Sequence, residues 1–320
     1  MAHLSVRTQA MSDANPFASP IVFDFSQDVG DGEQILAYAT AMSGFTLNYQ
    51  TNSLYWAEEA GAIGVSLTPN LVGTVLGIGG NVMLTDYDGD SALDPPTSDS
   101  GPGSVAQVSA LAVIGTPLTQ PPVCATAYGV NSGQDSSPIP IGDNTTSLAF
   151  MAGFSVAASE GTGEIGGLTL TSSVGSPVGD QVTVTGGVGL TDFSTTGTVD
   201  VGLLSYGPDL VGFAVQAAAP TWGAPNGQQG MSGTFSVDFT IPSGCSSITQ
   251  AALLLQDVTV VYDDTAEFQL IQAMQTGDLS IDGGTVSGTF VLNMYNPDAT
   301  AHHYISADST TTMSVIAQFA

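Results

Sequence analysis

The chain has 320 residues, with one Lys or Arg against 29 Asp and Glu, and a formal net charge of −28. Arg7 is that single cation, so a P-loop, a pyridoxal imine and the cationic clamps of phosphoryl transfer all lack their residues, and a surface repelled by phosphate excludes nucleic acid as a partner. The hydrophobic share of 42% supplies material for a core, while only 9% of residues are charged, so the expected surface is a coat of uncharged polar side chains.

In chain order, the stretch before Phe17 shows neither an apolar h-region nor a cationic n-region beyond Arg7, so no signal peptide is visible. Phe23-Asp24-Phe25 leads into a first run, Ile35 to Tyr49, in which Phe45, Leu47 and Tyr49 alternate with Thr46 and Asn48. That period of 2 predicts a half-buried strand. Val82 to Tyr87 and Val105 to Ile114 are further strand runs. Between them Asp86, Asp88, Asp90, Asp94 and Asp99 crowd carboxylates at close spacing. With no neighbouring cation, Asp86, Asp88, Asp90 and Asp94 are the candidate ligands of a calcium ion, the one cofactor the pattern admits. The EF-hand order fails, because Gly89 stands fourth and Thr97 twelfth. A solvated acidic hairpin tip is the competing reading.

The first run then recurs. Met42-Ser43-Gly44-Phe45-Thr46-Leu47 returns 109 residues later as Met151-Ala152-Gly153-Phe154-Ser155-Val156, and Val82-Met83-Leu84-Thr85-Asp86-Tyr87 returns 106 residues on as Val188-Gly189-Leu190-Thr191-Asp192-Phe193. A more divergent third copy aligns Ile248 to Tyr262 with Ile35 to Tyr49, Phe290 to Tyr295 with the Val82 segment, and Val237-Asp238-Phe239 with Phe23-Asp24-Phe25. The copies close on Val105 to Ile114, Thr198 to Tyr206 and Thr312 to Phe319. The expectation is therefore all-β: three tandem antiparallel β-sandwich units, jelly-roll or Ig-like, over 1–117, 118–220 and 221–320. Phe45, Phe154 and Val258 should be equivalent, as should Leu84, Leu190 and Leu292. Pro-rich linkers are expected at Thr116 to Pro122, with looser chain to Asp143, and at Ala217 to Gly230. The best helix candidate, Ser247 to Gln256, aligns with a segment that reads as strand.

Other chemistry is sparse. His302 and His303 are adjacent, and neighbouring strand residues point to opposite faces, so a structural reading is expected. Cys124 and Cys245 precede the second and third copies, either bridged or as two free thiols. Carboxylate pairs drawn from Glu58, Glu59, Glu160, Glu164, Asp263 or Asp264 arise by chance in an acidic chain, and the sequence has neither a G-x-S-x-G elbow nor an H-E-x-x-H helix. No enzyme is expected. Asn144-Thr145-Thr146 is a lone sequon. The expected function is a structural, self-assembling protein of a virion, tail, fibre or extracellular appendage, whose partners are further copies of itself and other structural subunits. Insertion into a membrane is not expected, since no apolar run reaches about 18 residues. The competing class is a carbohydrate-binding or adhesin protein, with glycans stacked on Tyr55, Trp56, Trp222, Tyr295 or Tyr304 and a calcium-organised loop.

Overall fold

The computed structural model describes residues 2–10, 20–48, 60–86, 104–158, 165–191, 195–226, 230–266, 270–295 and 305–320. All regular structure among them is β. The strands of the first part of the chain are β1 (Ala2–Ala10), β2 (Ile21–Asp24), β3 (Gln34–Asn48), β4 (Ala60–Val72), β5 (Val75–Asp86) and β6 (Val105–Gly115). The middle part carries β7 (Val123–Asn131), β8 (Gln134–Asp135), β9 (Ile139–Pro140), β10 (Thr146–Ala158), β11 (Ile165–Val174), β12 (Gln181–Val182), β13 (Val184–Leu190) and β14 (Thr195–Tyr206). The last part carries β15 (Leu210–Val211), β16 (Phe213–Ala218), β17 (Thr221–Trp222), β18 (Met231–Asp238), β19 (Ile248–Ala266), β20 (Leu270–Asp282), β21 (Thr285–Tyr295) and β22 (Thr310–Phe319).

Three large open sheets hold nearly all of these. The first is ordered β15-β1-β6-β3-β20-β21-β18-β17, the second β2-β5-β4-β10-β14-β7 and the third β16-β22-β19-β11-β13-β8. Pairing is antiparallel except where β15 meets β1. Each sheet joins strands from two different parts of the chain. The seams are β20 on β3, β4 on β10 and β11 on β19. The seams therefore link last to first, first to middle and middle to last.

The elements follow the expected period. In β18 Met231, Gly233, Phe235 and Val237 are buried while Ser232, Thr234, Ser236 and Asp238 face solvent. β3 from Ala39 onward and nearly all of β6 are buried on both faces, because a core lies on each side of them. The larger core takes Met42, Phe45 and Leu47 together with Ile21, Phe23, Phe25, Leu76 and Leu84. The smaller takes Leu4, Val6, Ala39, Ala41 and Leu111 from the first part, Phe150 and Leu204 from the middle, and Leu254 and Ile316 from the last. Strands from all three parts of the chain thus converge on one small apolar centre. Its size complementarity is local: Phe150 pairs with Gly202, and a Cβ on Gly202 would sit 2.0 Å from the Phe150 ring.

One buried row runs across each sheet through the expected equivalents. It reads Leu292, Ala273, Phe45 and Ala106 in the first sheet, Val82, Val65, Phe154 and Val199 in the second, and Val188, Leu170, Val258 and Thr311 in the third. Phe45 and Phe154 meet across the sheets with ring centroids 5.2 Å apart. Leu84 and Leu190 stand in the next row, opposite Ile63 and Leu168. In the first sheet that row contains Met294, opposite Ile271, so Leu292 lies two residues away from the position the sequence alignment assigns it.

The recurring glycine has a reason in these seams. A Cβ on Gly44 would lie 2.7 Å from the Met274 backbone, and one on Gly153 would lie 2.7 Å from the Val65 carbonyl. These two seams therefore close where a side chain is missing. Of Ser247 to Gln256, the residues from Ile248 onward are strand, as the alignment implied. The chain read as loose between Pro122 and Asp143 contains the nine-residue strand β7. Its small residues, Ala125, Thr126, Ala127 and Gly129, give period 2 almost no hydrophobic contrast.

Candidate functional site

A concavity of mixed origin lies where the start of β3, the end of β4 and the strand β7 approach one another. This groove has a volume near 540 Å³, with Leu36, Tyr38, Leu71, Cys124, Thr126 and Tyr128 among its lining residues and, among the described residues, no charged side chain in the lining. Tyr128 is 59% exposed. Alternation along β7 puts Cys124, Thr126 and Tyr128 on the groove side, and Cys124 also packs on the small core. Burial pushes the Cys124 thiol up to about 12, which disfavours its thiolate. Both cysteines are free, so no bridge ties the two connections.

Behind the far end of β7 stands Asp200, in the register shift between Val199 and Val201. The Gly129 N–H donates to its carboxylate at 2.8 Å. Burial nevertheless raises the Asp200 carboxyl above its ordinary value, the Gly129 bond offsetting part of that. The Tyr128 phenol is raised too, first by burial and then by the nearby Asp200 and Tyr38, against a hydrogen bond from Thr126 that lowers it.

A second concavity, near 640 Å³, lies on the outer face of the first sheet. Register builds it. Thr221 pairs with Thr234, Thr234 with Thr289 and Thr289 with Thr276, so one row of threonines crosses β17, β18, β21 and β20. Ser236, Ser287 and Ser280 form the adjacent row. Among the described residues, Asp278 is the charged one in that lining. Such a face offers hydroxyl donors and acceptors in a regular array, without a base or nucleophile held against a partner.

The sole cation is spent on structure. The Arg7 guanidinium donates to Asp28 Oδ2 at 2.5 Å and to Gln250 Oε1, and lies 5.5 Å from the centre of the Phe25 ring. Ser5 Oγ donates to the same carboxylate oxygen at 2.9 Å. Arg7 thereby ties β1 both to the loop after β2 and to β19.

Of the residues singled out in the sequence, Asp86 ends β5, whereas Asp88, Asp90, Asp94 and Asp99 lie outside the described residues, so the calcium loop has no described geometry. Among the described residues no three His, Cys, Asp or Glu side chains cluster closely enough to hold a metal ion. His302, His303, Tyr304, Tyr55, Trp56, Glu58, Glu59, Glu160 and Glu164 also lie outside, as do the side chains of Asp263 and Asp264. Trp222 packs against the larger core. Asn144 is buried and donates to the Pro121 carbonyl at 3.2 Å, so the sequon does not present its amide to solvent. The groove and the hydroxyl rows were missed in the sequence, because both exist only once register brings distant segments together. The one signal available was Tyr128 on an otherwise small-residue run.

Neither the known protein families nor the curated proteins contain a match to this chain. Among the described residues no helix is long and apolar enough to cross a membrane.

Proposed function

We propose that the chain is a structural building block: three copies of one six-stranded sandwich, closed on one another in a ring, that self-assembles in a virion, tail, fibre or extracellular appendage. Each copy contributes two strand triplets, β1-β6-β3 and β2-β5-β4 in the first, β7-β14-β10 and β8-β13-β11 in the second, β16-β22-β19 and β18-β21-β20 in the third. The single observation that carries the reading is that these triplets are exchanged cyclically through the seams β20/β3, β4/β10 and β11/β19, so each sheet belongs to two neighbouring copies.

The bulges support the equivalence. Irregularities fall between Met42 and Gly44 in β3, between Met151 and Gly153 in β10, and between Leu255 and Asp257 in β19. A second pair falls between Ile35 and Ala37 and between Ile248 and Gln250. The gap-free alignment of Ile35 to Tyr49 on Ile248 to Tyr262 carries each bulge of β3 onto one of β19. Bulges are placed features of a sheet rather than accidents. A chain built this way presents three related faces around one centre, as a closed trimer does, and its continuous sheets transmit load between copies through backbone hydrogen bonds. Electron microscopy of the purified protein across salt and calcium concentrations tests the role. Ordered particles or filaments are expected, and dispersed monomers under every condition would contradict it.

The alternative, a carbohydrate-binding or adhesin protein, is favoured by the hydroxyl rows on the first sheet, whose spacing suits a ligand with its own repeating hydroxyls. Retention of isolated monomers on a glycan array, lost in Thr234→Val with Thr289→Val, would select that reading. Calcium enters through the Asp86 to Asp99 segment: a stabilisation beyond that of sodium at equal ionic strength, abolished by Asp88→Asn with Asp90→Asn, would assign it.

A further inference from the structure

We propose that the outer edge of β7 is the contact through which two copies of this chain pair, antiparallel and about a twofold axis, fusing their second sheets into one. The inference rests on the self-assembly reading above and names its surface.

The sheet edges are unequal. The first sheet ends on the two-residue strands β15 and β17, and the third on two-residue β8 and six-residue β16. The second ends on four-residue β2, which carries Asp24, and on nine-residue β7. An exposed edge is a template for another strand, and folded proteins usually shorten it, charge it or put Pro in it. β7 is neither short nor charged and contains no Pro; a register shift opposite Val199 and Val201 bulges it only at Tyr128 and Gly129, which leaves 123–127 as a regular, uncharged edge. Its equivalent β1 is treated differently. There the first residues pair with Leu210 and Val211 in β15, and Arg7 is pinned to Asp28 and Gln250.

Charge selects the occupant. A molecule at −28 repels its own copy over most of its surface, so a second copy can approach closely only where carboxylates are missing. Among the described residues the edge β7 and the groove beside it form such a place, since no charged side chain lines either and the nearest carboxylate, Asp200, stands on β14 behind the strand, held by the Gly129 N–H. A cationic partner would find no counter-charge in that lining. Antiparallel pairing of β7 with itself juxtaposes no like charges in any register. With the axis at Thr126, Tyr128 of each copy stands opposite Cys124 of the other, so the exposed phenol covers the apolar groove floor. The contact is isologous and closes as a dimer, which larger assemblies can then use as a unit.

Sedimentation equilibrium of the full chain in high salt, where repulsion is screened, tests this with the wild type, Tyr128→Glu and, as a control on an 80% exposed site elsewhere, Val178→Glu. The wild type should associate. Tyr128→Glu should raise the dimer dissociation constant by at least about tenfold through facing like charges, with an unchanged circular dichroism spectrum, and Val178→Glu should not. An equimolar mixture of Tyr128→Glu and Tyr128→Arg should associate again. On concentrating the wild type, amides of 123–131 should gain hydrogen-exchange protection, a readout independent of any variant. Association that persists unchanged in Tyr128→Glu, or protection that leaves 123–131 untouched, would overturn this surface while leaving self-assembly intact. A wild type that stays monomeric at every salt and concentration would overturn both.

Discussion

Asp200 shows how a single carboxylate behaves in a protein with no spare cation. Its folded value is raised by burial, so the folded state holds this proton more tightly than the unfolded one does. Stability is then fullest below the ordinary carboxylate value and declines as pH rises through the window up to the raised value, staying lower beyond it. Asp200→Asn keeps an acceptor for the Gly129 N–H and removes the charge. Urea unfolding from pH 3 to 7 should show a shallower decline in the variant, which at neutral pH should be at least as stable as the wild type. A variant that is less stable at pH 7 and retains the full slope would show that another group carries it. Arg7 stands at the opposite extreme. Its guanidinium serves a carboxylate, an amide and an aromatic ring at once, and Arg7→Met should cost about 1–3 kcal/mol by leaving Asp28 without its ionic partner.

At the scale of elements, the small core allows a direct exchange between related positions. Phe150 pairs with Gly202, Ala41 with Ser109 and Leu254 with Ser314, and the proposed repeat makes these three pairs equivalent. Gly202→Ser alone forces a side chain into the Phe150 ring and should cost about 1–3 kcal/mol. Phe150→Leu alone leaves a void and should also destabilise. Combining them rebuilds the Leu254 and Ser314 pair, and the double variant should be more stable than the sum of the single losses by about 0.5–3 kcal/mol. Simple additivity in thermal unfolding would deny the equivalence. The same elements show what was legible in the sequence. The strands around Phe45 and Phe154 declared themselves through a recurring Met-x-Gly-Phe, and the one around Val258 through alternation alone. That Gly44 serves a seam with Met274 could not be read locally, because the partner lies in another part of the chain. β7 was hidden by its small residues, and the groove beside it was hidden with it. In the third copy the alignment placed Phe290 opposite Val82, whereas pairing places Leu292 there. A strand of alternating apolar residues tolerates a two-residue shift without changing which face is buried.

For the whole molecule, the imbalance of 29 acids against one base makes repulsion a general opponent of compactness and assembly. Screening relieves it, since the Debye length falls from about 30 Å at 0.01 M to about 3 Å at 1 M. The melting temperature should therefore rise with sodium chloride, and a flat or falling trend would remove the repulsion argument. Cooperativity bears more directly on the central claim. If three sandwiches share their sheets through the seams and converge on one core drawn from all three parts of the chain, no copy can unfold without exposing its neighbours. Differential scanning calorimetry at high salt should then give one transition with a calorimetric to van't Hoff enthalpy ratio of about 1 per chain. Separate transitions, or a ratio approaching about 3, would mean that the copies fold as independent beads and would contradict the ring.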